Sequence, residues 1–210
     1  MPLSYAAENG HLDVVKFLVK QVGADVESKD KWGIRPLSFT AWNSRLEAAK
    51  FLVNEARTDV ESKDDDGRTP LSWAATNGHL QVVKFLVKEA VADVESKDTG
   101  ERTPLSLAAS NGHVEAVKFL VNEASADVES KDHDGRTPLS WAAYWGHLDA
   151  VKLLVNEAGA NITVKDNRGQ TALHLARQGA QQCWGDREGC RAVAAWLEKK
   201  EKAGRESDGD

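Results

Sequence analysis

The sequence is poor in the residues on which several kinds of chemistry depend. It holds two cysteines in 210 residues, Cys183 and Cys190. Two cannot build a disulfide framework, and a reducing intracellular compartment, the cytoplasm, is the expected setting. No apolar run approaches the roughly 18 residues that cross a bilayer. The stretch Met1–Glu8 lacks the basic segment and apolar run of a secretory signal. Positive charge is in deficit, with 27 Lys and Arg against 33 Asp and Glu, a net charge of -6 and a pI near 5.6. A nucleic-acid binder needs a basic face that displaces counterions from phosphates, so neither nucleic acid nor membrane is an expected partner. There is no Walker-type or dinucleotide glycine loop, so no nucleotide cofactor is implied.

Proline is scarce as well, and its five occurrences carry the main signal. Pro2, Pro36, Pro70, Pro104 and Pro138 follow one another at a spacing of 34, and Ala172 takes the next position. Segments 61–94 and 95–128 share 24 of 34 aligned residues, which marks them as duplicated repeats. The third copy shows the unit best. Asp65-Asp66-Gly67 has tight-turn chemistry, with glycine able to supply a positive φ. Thr69 suits a helix N-cap and Pro70 the first helical position. A short helix follows with small Ala74 and Ala75, and Gly78 ends it. Leu80, Val83, Leu86 and Val87 then recur at helical spacing. The unit reads as turn, helix, turn, helix. A single copy cannot bury its apolar stripe, whereas stacked copies can.

The Asp-x-x-Gly-x-Thr-Pro-Leu opening, the Ala-Ala pair, Gly-His and Val-Val-Lys-x-Leu together resemble the ankyrin repeat. The Ser-Trp-Ala-Ala and Val-Glu-Ser-Lys-Asp arrays are similar to those of fungal ankyrin proteins. The resemblance covers residues 1 to about 200 and implies an all-α solenoid of about six stacked helix-turn-helix units with hairpin-like turns. Residues 1–164 form five tandem repeats, the first lacking its opening turn. Residues 165–200 form a divergent sixth, whose second helix resumes near Cys190 after an insertion around 180–188. Residues 201–210 read as a charged, disordered tail. The truncated start is consistent with a portion excised from a longer array.

The chain departs from the family pattern in three respects. Ser4, Ser38, Ser72, Ser106 and Ser140 stand where the family places His, and only His174 conforms. The repeat is also one residue longer than the usual one. Arg57, Val91 and Ser125 then occupy a position where the family prefers glycine. The longer connection is expected to remove the need for a glycine in left-handed geometry there.

Candidate chemistry is sparse. His11, His79, His113 and His147 recur once per repeat, so stacking sets them roughly 8–10 Å apart. A zinc ion needs nitrogens about 2 Å from one centre, so they read as architecture and no metal site is expected. Cys183, Cys190 and His174 are too few for a zinc site, and no third group completes a nucleophile. The run Lys63-Asp64-Asp65-Asp66 lacks the alternating ligands of a calcium loop. Lys16, Lys50, Lys84, Lys118 and Lys152 make a column read as a solvated face. No catalytic residue is assigned, and an enzyme is not expected. Trp73, Trp141, Phe39 and Tyr5 share a position with Leu107 and Leu175 and read as partly buried packing.

The pair following Ala-Ala differs between copies: Glu8-Asn9, Trp42-Asn43, Thr76-Asn77, Ser110-Asn111 and Tyr144-Trp145. In the ankyrin family, this pair and the turn tips line a concave groove that binds partners. The resemblance therefore implies a partner-binding set of Trp32, Ile34, Trp42, Asn43, Asp66, Arg68, Thr76, Asn77, Arg102, Ser110, Asn111, His133, Arg136, Tyr144 and Trp145. Trp32 with Trp42, and Tyr144 with Trp145, form two expected aromatic clusters, a residue type that dominates interface hot spots. The expected function is a non-catalytic, monomeric protein-interaction module. The alternative is a structural spacer or regulatory arm of a larger signalling protein.

Overall fold

The structure is a computed structural model that describes residues 1–182 and 186–207. Twelve α-helices and no strand are found among the described residues. They pair into about six helix-turn-helix repeats, and the chain divides into two compact units, Met1–Pro104 and Leu105–Asp210. The first unit holds α1 (Pro2–Asn9), α2 (Leu12–Lys20), α3 (Pro36–Trp42), α4 (Leu46–Asn54), α5 (Pro70–Thr76) and α6 (Leu80–Lys88). In it α1, α3 and α5 pack side by side, and α2, α4 and α6 do the same behind them. The second unit holds α7 (Pro104–Ser110), whose proline closes the first unit, α8 (Val114–Asn122), α9 (Pro138–Trp145), α10 (Leu148–Asn156), α11 (Ala172–Gln182) and α12 (Arg187–Ser207). There α9 packs on α11, and α12 covers both.

The helix starts follow from the Thr-Pro-Leu-Ser sequence. Thr69 Oγ1 accepts the Ser72 N–H at 3.2 Å, and Thr137 Oγ1 accepts that of Ser140 at 3.3 Å. Each serine hydroxyl also meets its threonine hydroxyl, at 3.1 and 3.2 Å. In the sixth repeat His174 Nδ1 makes this contact with Thr171 Oγ1 at 2.9 Å. Serine thus takes over the threonine contact that histidine makes in the sixth repeat.

The core alternates small and large residues. Ala7, Ala41, Ala74 and Ala75 are fully buried on the first helices, which lets their backbones approach closely. Val83, Phe85 and Leu86 are buried on α6. At the start of the chain Phe17, the counterpart of Phe85, is 57% exposed and Val14, the counterpart of Val82, is 47% exposed, whereas Val15, the counterpart of Val83, stays fully buried.

Neighbouring repeats are also clasped through polar groups. In the first unit Glu27 Oε1 accepts the Asp59 N–H at 2.9 Å, and Glu61 Oε1 accepts that of Asp93 at 2.8 Å. Lys63 Nζ donates to the Lys97 carbonyl at 2.8 Å. In the second unit Glu129 Oε1 accepts the Asn161 N–H at 2.7 Å. These bonds account for the recurring Val-Glu-Ser-Lys-Asp sequence: its glutamate and lysine reach one repeat forward.

The connection after the second helix corrects one expectation. Arg57, Val91 and Ser125 have φ of 56°, 58° and 57°, next to 70° and 72° for the equivalent Gly23 and Gly159. The extra residue leaves the left-handed position in place, so non-glycine residues occupy it under strain. Val91 is β-branched there and 81% exposed, so it has no packing to offset that strain. Val91→Gly should stabilise the protein by about 1 kcal/mol, the left-handed penalty less the backbone entropy of glycine, seen as a higher thermal midpoint. An unchanged midpoint would remove the strain argument.

The C-terminal repeat also differs from the sequence expectation. Within 180–188, α11 runs on to Gln182 and α12 begins at Arg187, while Cys183, Trp184 and Gly185 lie outside the described residues. The segment 201–210, read as a disordered tail, is helical through Ser207 as the end of α12, and 208–210 lie outside the described residues. Its Glu, Lys and Ala are strong helix formers, which favours continuation of a helix already begun.

Candidate protein-interaction surface

Each repeat after the first opens with a turn organised by one aspartate. Asp64 Oδ1 accepts the N–H groups of Asp66 at 3.0 Å and Arg68 at 2.8 Å. Asp30, Asp98, Asp132 and Asp166 repeat the arrangement on their own turns. The tips are tied to one another through the backbone. In the first unit the Asp65 N–H donates to the Trp32 carbonyl at 3.1 Å, and that of Thr99 to the Asp66 carbonyl at 2.9 Å. Gly67, at φ +74°, permits this: a Cβ there would lie 2.9 Å from the Thr99 nitrogen.

The second carboxylate oxygen explains the tryptophans. The Trp73 indole N–H donates to Asp64 Oδ2 at 2.9 Å, and the Trp141 indole N–H to Asp132 Oδ2 at 2.7 Å. Where Leu107 replaces tryptophan, Arg102 takes over and donates from Nε to Asp98 Oδ2 at 3.0 Å. Where Leu175 does so, Asp166 Oδ2 is buried without a hydrogen bond, 3.7 Å from Arg136 Nε. Trp73 was read as packing alone; the aspartate nine residues before it was the available signal. Trp73→Phe should cost about 1–2 kcal/mol, because Asp64 Oδ2 loses its donor in a buried place. A loss under about 0.5 kcal/mol in chemical denaturation would deny the indole N–H that role.

The second-helix histidines fasten repeats together. His79 Nε2 lies 2.8 Å from the Trp42 carbonyl, and His147 Nε2 lies 3.0 Å from that of Ser110. In the second repeat Arg45 stands in for histidine and donates from Nε to the Glu8 carbonyl at 3.0 Å. Burial holds the His147 imidazole below its ordinary pKa, which favours the neutral ring. Cys190 is buried in α12, donates its S–H to the Tyr144 carbonyl at 3.2 Å, and has its thiol pKa pushed up by burial. It is thus held as a thiol and not as a nucleophilic thiolate.

The structure sorts the sequence-derived partner-binding residues into distinct surroundings. Asn43, Asn77 and Asn111 donate their amides to the carbonyls of Phe39, Trp73 and Leu107, four residues back on the same helix. Thr76 and Ser110 likewise bond carbonyls of their own helices. These five side chains close helix ends. Arg102 is spent on Asp98. In the second unit His133 is exposed and its carbonyl accepts the Asn167 amide. Arg136 is buried, with its guanidinium 4.8 Å from the Trp141 ring and 5.6 Å from that of Tyr144. Tyr144 and Trp145 meet edge to face at 5.2 Å and are half-buried, and the Tyr144 hydroxyl donates to Gln182 Oε1.

The first unit brings a different group together. Trp32, Ile34 and Trp42 line one cleft of about 240 Å³ with Asp64, Asp65, Asp66 and Trp73. Ile34 is buried, while Trp32 and Trp42 are 58% and 37% exposed. The Trp42 and Trp73 rings stack at 4.4 Å and 9°. The Arg68 guanidinium lies 4.7 Å from the Trp73 ring centroid. Two large exposed indoles on an otherwise polar rim are the feature that sets this part of the molecule apart.

A description of the ankyrin-repeat family matches the chain in three copies, over residues 3–98, 87–166 and 131–185. The chain therefore belongs to the ankyrin-repeat family. Ankyrin repeats are in general protein–protein interaction modules, and the family is typically non-catalytic. No curated protein matches the chain. Among the described residues, no helix is long and apolar enough to cross a membrane.

Proposed function

We propose that this protein binds a partner protein on the face where the turn tips meet the ends of the first helices, the concave face of the family. The observation that carries the reading is the exposure of Trp32 and Trp42 beside one cleft. Burying a large aromatic ring against a partner removes much apolar surface from water, and such rings supply most hot-spot energy. The half-buried pair Tyr144 and Trp145 is a second, weaker contact on the same kind of position.

The test is partner affinity with two variants, Trp42→Ala and Tyr144→Ala/Trp145→Ala. Trp42→Ala should weaken binding by at least about tenfold, the scale of a hot-spot truncation. The double variant should weaken it by less. Both at wild-type affinity, with circular dichroism showing an intact fold, would rule the surface out.

A further inference from the structure

We propose that the tryptophan cleft of the first unit receives an arginine side chain from a basic segment of the partner, a reading that rests on the interaction surface above. The cleft combines two features that favour a cation. Its walls are indoles, whose faces attract positive charge. Its rim carries Asp65 and Asp66, both exposed. Asp64 is spent on two backbone N–H groups and the Trp73 indole, so the rim charge belongs to the other two. Among the described contacts, the Asp66 carboxylate meets only Arg68, at 3.8 Å.

The chain already shows how its turn tryptophans treat cations. Lys31 Nζ lies 4.0 Å from the Trp32 ring centroid, Arg68 lies 4.7 Å from Trp73, and Arg136 lies 4.8 Å from Trp141. Trp42 is the exposed cleft indole beside which no such cation is seen among the described contacts, and its ring borders the acidic rim. Trp73 covers one face of that ring, so a guanidinium would pack on the part left exposed and direct its planar N–H fork at a carboxylate. A lysine ammonium offers a point charge with no plane to stack. A volume of about 240 Å³ admits one side chain, not a folded surface. The net charge of -6 draws a basic segment and repels phosphate.

Lys31 supplies a second handle, because its ammonium occupies the Trp32 ring and offsets the rim charge. Lys31→Met should therefore strengthen arginine binding while leaving the cleft in place.

The probe is a blocked pentapeptide with one central arginine, compared with otherwise identical peptides carrying lysine, citrulline or norleucine. Binding is followed by NMR of the tryptophan indole N–H groups in the full chain, with Trp42→Phe and Trp32→Phe assigning their signals. The arginine peptide should shift the Trp42 and Trp32 signals, bind several-fold tighter than the lysine peptide, and at least tenfold tighter than the neutral citrulline isostere. Asp65→Asn/Asp66→Asn should weaken it about fivefold or more, and Lys31→Met should tighten it. Citrulline or norleucine binding as well as arginine, or shifts confined to other tryptophans, would overturn the proposal. Partner affinity separates the two readings: loss on Trp42→Ala with no change on Asp65→Asn/Asp66→Asn keeps the interaction surface and discards the arginine.

Discussion

Phe85→Ala should destabilise the protein by about 4 kcal/mol, whereas Phe17→Ala, at the same position of the first repeat, should cost less than about 1 kcal/mol. The two residues sit in the same Val-Val-Lys-Phe-Leu-Val sequence on α2 and α6. Phe85 is 2% exposed and its equivalents Phe51 and Phe119 are 4% and 2%, while Phe17 is 57% exposed. The difference lies in the neighbour: in the first unit α4 packs on α2 and α6 packs on α4, so each covers its phenylalanine against the second helix before it. Truncating Phe85 removes the transfer free energy of the ring and leaves a cavity between α4 and α6, which pack together. Truncating Phe17 opens a ring already in water. Urea denaturation gives the comparison, with both variants read by one probe because repeat arrays can unfold in steps. Equal losses would mean that Phe17 is covered in solution.

The pair also shows where sequence reading stops. The repeat was legible because its spacing of 34 fixes turn, helix, turn and helix without reference to any long-range contact. Burial within the repeat was not, since an identical residue is core at one copy and surface at another. The clasps between repeats were invisible for a related reason. Glu27 and Glu61 bond backbone N–H groups 32 residues away, and a backbone donor leaves no mark in residue type. The candidate surface was legible in part. Trp32 and Trp42 were picked out by unevenness between copies, and the fold brings them to one cleft. Asn43, Asn77 and Asn111 entered on position alone; their amides close their own helices, which explains why asparagine recurs there. Val91 was misread because an extra residue seemed to free the connection, yet the chain still turns through the left-handed region.

Gly179→Ala should destabilise the second unit by about 3 kcal/mol, although the sequence alone gives the opposite sign. Gly179 lies inside α11, and alanine in an exposed helix interior is favoured over glycine by about 1 kcal/mol. Here a Cβ would stand 2.1 Å from the Tyr144 carbonyl oxygen and 2.9 Å from Cys190 Sγ. The first atom is backbone of α9 and cannot rotate away. The second is held by the hydrogen bond its thiol donates to that same carbonyl. Nor can α11 shift aside freely, because α12 packs against it as well as against α9. The neighbouring glycines are used in the same way. A Cβ on Gly146 would meet the Cys190 nitrogen at 2.6 Å, and one on Gly189 the Gly146 oxygen at 2.4 Å. Three glycines thus let α9, α11 and α12 meet backbone to backbone, and overpacking that crossing forces helices apart. Adding Cys190→Ala to the variant should recover less than half of the loss, since it relieves the sulfur contact and leaves the carbonyl contact. Thermal unfolding followed by circular dichroism reads both, and a Gly179→Ala midpoint at or above wild type would show that the helices do not approach this closely.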